Sequence, residues 1–211
     1  MIKNKKHIIF DWNGTLINDA DVFVDVLNAL LDKRKMDRIN LNTYRALFCF
    51  PIVDFYKRIG LDVSGDAFTQ LKKEFICEYD KRKHVAALFP ESISVLEKLK
   101  KNNLILSILS ASNQNTLDDL VEYYSIGGFF ENVVGVDNYI AEGKTRRGIK
   151  LLNTIEANRS DILLVGDTNL DYSVSQELGV GCVLVSHGHQ SIRQLKPCDA
   201  QIIQSLDMLL E

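Results

Sequence analysis

Four short polar clusters hold the residues best suited to chemistry. They are Asp11-Trp12-Asn13-Gly14-Thr15, Ser110-Ala111-Ser112-Asn113, Gly143-Lys144 and Gly166-Asp167-Thr168-Asn169-Leu170-Asp171. Carboxylates at 11, 167 and 171 offer the all-oxygen ligation that a hard cation such as Mg²⁺ prefers. A lysine, a serine hydroxyl and turn N–H groups suit phosphate oxygens. Taken singly, each piece has an ordinary structural explanation. Asp-x-Asn-Gly makes an Asx turn, Ser110 or Asp167 can cap a helix, and Lys144 can lie at the surface in a Glu142–Lys144 loop. Their placement along the chain is what gives them weight together.

Each cluster follows a short apolar run. The runs are His7 to Phe10, Leu104 to Leu109, Asn132 to Val136, Ile162 to Val165 and Cys182 to Val185, with a weaker one at Ala200 to Ile203. Near-continuous hydrophobicity over four to six residues predicts strands buried on both faces. Amphipathic stretches lie between them: Ile93, Leu96 and Leu99; Leu117, Leu120, Val121 and Tyr124; Ile149, Leu152 and Ile155; Val174 and Leu178. Such alternation predicts an α/β fold, a Rossmann-like parallel sheet sandwiched by helices. Ligands of such sheets bind beyond the C-terminal strand ends, where the four clusters fall. From about Asp19 to His84 the pattern is helical without a convincing strand. Val22, Val26, Ala29 and Leu30 line one helix, and Phe68, Leu71, Phe75 and Tyr79 another.

The 211 residues, 46% hydrophobic, suffice for a core domain carrying a smaller insertion. A net charge of −3 gives no basic field for nucleic acid or anionic lipid. No apolar run approaches a membrane span, and the apolar stretch near Met1 is too short for a signal peptide. Four cysteines, none in a CxxC pair, suit a reducing cytoplasm.

The ordered clusters resemble the motifs of the haloacid dehalogenase superfamily across essentially the whole chain, with a layout like that of its phosphoglycolate-phosphatase-like members. Asp11 to Thr15 matches Asp-x-Asp-Gly-Thr with one substitution. Ser110, Lys144 and Gly166 to Asp171 match the three later motifs. The resemblance implies a helical cap at 18–86 inserted into a catalytic core of 1–17 plus 87–211. It further implies a Mg²⁺-dependent phosphatase of a small phosphorylated metabolite, with Asp11 as nucleophile. Mg²⁺ would be held by Asp11, the Asn13 carbonyl, Asp167 and Asp171, and phosphate by Gly14, Ser110, Ala111 and Lys144.

One position departs from the family pattern. Asn13 stands where family phosphatases carry the aspartate that protonates the leaving oxygen and then activates water. An amide does neither, and general acid–base catalysis is worth about 10² to 10⁴ in rate. Three outcomes stay open: substrates with good leaving groups or phosphonates, transfer to an acceptor other than water, or a stand-in such as Asp19. A phosphate-binding regulatory protein is the non-enzymatic alternative. The Asp-Trp-x-Gly-Thr opening also resembles phosphonoacetaldehyde hydrolases, for which Lys57 is the cap lysine to test. In the insertion, Arg45 or Arg58 is available to an anionic substrate tail, Phe48 and Phe50 read as packing residues, and His187 and His189 as a plain loop.

Overall fold

A computed structural model of the chain describes residues 1–137 and 143–211. Glu142, at the head of the lysine loop, lies outside the described residues. The chain runs β1 (His7–Phe10), β2 (Ile17–Asn18), α1 (Ala20–Lys33), α2 (Leu41–Leu47), α3 (Ile52–Arg58), α4 (Ala67–Asp80) and β3 (Ala87–Leu88). It continues α5 (Ser92–Lys101), β4 (Ile105–Asn113), α6 (Gln114–Tyr123), β5 (Asn132–Val136) and α7 (Lys144–Leu152). Then come β6 (Ile162–Gly166), α8 (Asn169–Leu178), β7 (Gly181–Val185), α9 (Ile192–Leu195) and β8 (Gln201–Ile203).

Six strands form one parallel sheet in the order β5-β4-β1-β6-β7-β8. β1 is central and wholly buried because Ile8, Ile9 and Phe10 are apolar on both faces, while the buried His7 ring meets Ser107 Oγ at 2.9 Å. Ile8 and Phe10 pack with Val95, Leu96, Leu117 and Leu120 of α5 and α6, while Ile9 packs with Leu151, Val174 and Leu178 of α7 and α8. That two-residue alternation is the strand period. The next strand of the sheet, β4, lies on one side of β1 and β6 on the other, so a crevice opens at the C-terminal end of β1, just where Asp11 follows.

Several expectations are corrected. β4 continues past Leu109 to Asn113, because a register shift after Leu109 lets Asn113 pair with Val136 despite the polar sequence. Ile93 and Ile149 are exposed rather than core-facing, and Ile155 lies beyond the end of α7. The buried positions of α7 are Lys144, Gly148 and Leu151, so a lysine occupies the register position that an apolar residue would normally fill. A Cβ on Gly148 would meet Leu178 at 2.8 Å, so the glycine lets α7 approach α8 closely. Ala29 of α1 and Phe68 and Phe75 of α4 are only half-covered. A two-stranded antiparallel ribbon pairs Ile17 with Leu88 and Asn18 with Ala87, bracketing the four helices α1–α4. Strands of two residues carry no readable period.

Within the helical segment, α1 and α4 share a cluster with Tyr44, Phe48 and Phe55. They are also tied by charge. Glu78 of α4 accepts from Arg82 (2.5 Å), Lys33 of α1 (3.1 Å) and Lys81 (3.2 Å). These three cations, Arg82 foremost, hold its carboxyl down at about 2 from 4.5. A depressed carboxylate stabilises the fold above its unfolded pKa and loses that contribution as pH falls through the folded one. Glu78→Gln should therefore lower the urea midpoint at pH 7, and the deficit should shrink between pH 4.5 and 2.

Candidate active site

The Lys144 ammonium lies 2.5 Å from Asp11 Oδ1 and 2.6 Å from Asp171 Oδ1. Lysine and Asp171 are almost wholly covered, and Asp11 is 7% exposed. Both oxygens of Asp171 are engaged. Its Oδ2 accepts from Thr168 Oγ1 (2.6 Å), the Thr168 amide (3.0 Å) and the Asp167 amide (3.2 Å), closing a capping box on α8. Asp167 faces the other way. Its Oδ2 accepts the His189 amide at 2.6 Å, and Thr15 Oγ1 lies 3.4 Å from Oδ1. A Cβ at Gly14, where φ is +70°, would lie 2.3 Å from Asp167 Oδ2, and one at Gly188 only 2.1 Å away. Both glycines are required by the closeness of that carboxylate.

Oxygens of Asp11, Asp167 and Asp171 lie within 4.8 Å of one another, all buried. Burial pushes the Asp11 carboxyl up to about 6, against the pull of Lys144. Burial also raises Asp167 well above the ordinary carboxylate range. Burial alone would lower Lys144, but Asp11 and Asp171 raise it. One ammonium, bonded to two of the three carboxylates, leaves the cluster negative, and this hard, all-oxygen donor set fits a divalent cation of the Mg²⁺ type.

Asn13 is clamped. Its amide nitrogen donates to Asp19 Oδ2 at 2.5 Å, and its oxygen accepts from Ser112 Oγ at 2.6 Å. Those partners fix which way the amide points. Asp19, the proposed stand-in, is fully buried and accepts also from Gly14 N–H (3.0 Å) and pairs with His189 Nε2 (3.0 Å). It does not line the described cavity, and Asn13 lies between it and the space above Asp11. Gly14 N–H is likewise engaged, by Asp19 and by Ile17 O. Ser110 is buried with its Oγ accepting from Ser112 N–H, while Ala111, Ser112 and Asn113 line the cavity.

His189 is no plain loop residue. Its Nδ1 lies 2.7 Å from the Tyr44 hydroxyl, so the ring bridges α2 to Asp19. Burial opposes its protonation, yet Asp19, then Asp167 and Asp11, hold its pKa above the usual value. Nothing in a His-x-His pair signals this, since its burial depends on the loop after β7 folding over the loop after β1. Arg45 does not await an anion. Its guanidinium donates to the Gly188 and His187 carbonyls (2.7 and 2.6 Å), while Gln190 Nε2 reaches Phe48 O at 3.2 Å. Arg58 turns to Leu47 O at 3.3 Å, and Lys57 pairs with Asp54 at the surface, away from the cavity. Phe48 and Phe50, expected only to pack, line the cavity of about 190 Å³ above Asp11.

Removing one member of a buried ion pair typically costs about 3–5 kcal/mol. Lys144→Met should show that loss in urea unfolding at pH 7.5 with EDTA. A carboxyl raised on folding favours the folded state when protonated, so the deficit should be smaller at pH 5, below the Asp11 value of about 6.

The family model for haloacid dehalogenase-like hydrolases matches residues 8–185. A probable phosphatase, IndB, of Dickeya dadantii is 23% identical over 94% of this chain and 89% of its own length. A phosphoglycolate phosphatase of Aquifex aeolicus is 26% identical over 90% of this chain and 89% of its own. A haloacid dehalogenase-like hydrolase from Streptococcus pneumoniae superposes with a TM-score of 0.84 at 20% identity, covering 99% of this chain and 98% of its own. With the family model spanning most of the chain, the protein belongs to the haloacid dehalogenase-like hydrolases.

Proposed function

We propose that the chain is a Mg²⁺-dependent phosphatase of a small phosphorylated metabolite, with Asp11 as nucleophile and residues 18–86 as the cap over it. The observation that carries this reading is the buried Asp11–Lys144–Asp171 bridge beside Asp167, at the C-terminal end of the central parallel strand. The phosphatase names of the relatives in Dickeya dadantii and Aquifex aeolicus support it.

An oxygen of Asp11 would attack phosphorus as the bond to the leaving oxygen breaks, with the electron pair departing on that oxygen. Water would then attack the aspartyl phosphate, release phosphate and restore the carboxylate. Mg²⁺, held by Asp11, Asp167 and the Asn13 carbonyl with Asp171 behind them, would offset the repulsion between nucleophile and phosphate. Lys144 would hold Asp11 in place and pair with phosphate oxygens. Ala111 and Ser112 would line the phosphate seat, beside the buried Ser110. Gly14 would serve by admitting Asp167 rather than by donating to phosphate.

Asn13 favours a second reading, a phosphotransferase. Clamped between Asp19 and Ser112, the amide activates no water, so the aspartyl phosphate would live long enough to meet another acceptor.

Acetyl phosphate, whose leaving group needs little protonation, should be hydrolysed with Mg²⁺ and not by Asp11→Asn. Mg²⁺ with beryllofluoride should raise the Tm of wild type only. Full activity in Asp11→Asn would end the nucleophile assignment, and a Tm shift without turnover of any phosphate would favour a phosphate-binding role. In Asn13→Asp, two carboxyls would meet at the contact now 2.5 Å long and share a proton. That proton is what an alkoxide leaving group lacks, so alkyl phosphate turnover should rise by about 10² or more.

A further inference from the structure

We propose, resting on the phosphatase reading, that the substrate is a phosphate ester of an apolar ring bearing an acidic hydroxyl, an aryl or enol phosphate. Two independent features of the same site meet in that class.

The first is the wall of the cavity. The cap side of it is built from Phe23, Phe48, Phe55, Phe75, Ile76 and Tyr79. Their rings are set edge to face: Phe23 against Phe75 and against Tyr79, both at 5.3 Å, and Phe48 against Phe55 at 5.3 Å. Such packing gives a flat guest both faces and edges to meet. The cavity of about 190 Å³ runs from these rings to a polar floor at Asp11, Lys144 and Asp167, so a ring and its phosphate would share it. The two cap arginines that an anionic tail would call on are committed elsewhere. Arg45 is spent on the carbonyls of residues 187 and 188, and Arg58 on Leu47. Of the charged cap residues described at the wall, Lys72 has its ammonium 4.7 Å over the Phe68 ring, and Asp80 is paired with Lys83. Lys72 is the one cap cation among the described lining residues, and a carboxylate placed among the rings away from it would lose its water without gaining a partner.

The second feature is Asn13. Its amide is held between Ser112 and Asp19 and delivers no proton to the leaving oxygen. As the Asp11 oxygen bonds to phosphorus and the P–O bond of the ester breaks, the electron pair must rest on the departing oxygen until solvent protonates it. A ring-conjugated oxygen carries that charge, and an alkoxide does so poorly. The aromatic wall and the absent acid thus select the same chemistry.

The test has a binding arm and a turnover arm, both on the full chain with Mg²⁺. By calorimetry, benzylphosphonate should bind at least about tenfold more tightly than phosphonoacetate, which carries a carboxylate in place of the ring. Ile76→Lys should narrow or reverse that preference. In turnover, phenyl phosphate, leaving as phenoxide, should exceed benzyl phosphate, leaving as alkoxide, by about 10² to 10⁴ in kcat/KM. Equal binding of the two phosphonates, or tighter phosphonoacetate that weakens in Lys72→Met, would overturn the proposal and give the wall to an anionic tail. Equal turnover of phenyl and benzyl phosphate would overturn it too, by showing that a proton is supplied after all. Acetyl phosphate hydrolysis dependent on Asp11 reports the phosphatase reading separately. Were that lost, the phosphonate comparison would still decide what the cavity accepts.

Discussion

Everything at the site depends on one ammonium shared by two buried carboxylates. Lys144 reaches Asp11 and Asp171 at nearly equal length. It does so from the first residue of α7, with its stem in a position that the helix would otherwise give to an apolar side chain. Asp171 in turn closes the first turn of α8 through Thr168. The charge that fixes the nucleophile therefore also fixes the start of two helices. Gly148 serves the same arrangement by letting α7 settle against Leu178 and Leu109. A desolvated pair of this kind is costly to form and costlier to break, so geometry here is enforced rather than merely favoured.

Much of the core was legible in the sequence because its signals are local. His7 to Phe10 and Asn132 to Val136 are strands with the bounds that their apolar runs suggest, and α5 begins and ends where its pattern does. Asp11, Lys144, Asp167 and Asp171 follow from their types, their order after four strands and the family resemblance, and the structure brings their side chains together. What escaped was whatever depends on chain segments meeting at long range. Ser112 carries no role in its polar cluster as the sequence stands, because its partner is 99 residues away. His189 looked idle because its partners Tyr44 and Asp19 lie 145 and 170 residues off. Arg45 carries the same charge whether it greets a substrate or staples two carbonyls, and only the fold tells which.

Those long-range bonds tie the α2 end of the helical segment to the loop after β7. Besides the ribbon of β2 and β3, the segment is joined to the core at this end through Arg45, Gln190 and the Tyr44–His189 contact, and just after α4 through Lys83 and His84 with Asp119 and the Tyr124 hydroxyl with Ala86 O. Ser191 N–H and Gln194 Nε2 both donate to Arg45 O as well. Domain motions that admit substrate need edges with few such bonds. Within the helices themselves, the wall formed by α1 and α4 meets the core chiefly through Tyr79 with Asn13 and the aromatic contact of Phe23 with His189.

The clamp on Asn13 has a consequence for how the protein ages. An asparagine followed by glycine is prone to lose its amide when the next backbone nitrogen attacks the side-chain carbon. In the folded chain that nitrogen has its hydrogen engaged by Asp19 and Ile17, the glycine is held at φ +70°, and the amide is pinned at both ends. The native state thus shields its own sequence at position 13, and an unfolded chain has no such shield. Material that has been denatured and refolded would carry some molecules with aspartate or isoaspartate there, so two preparations of one gene product could differ in the very residue on which proton supply turns.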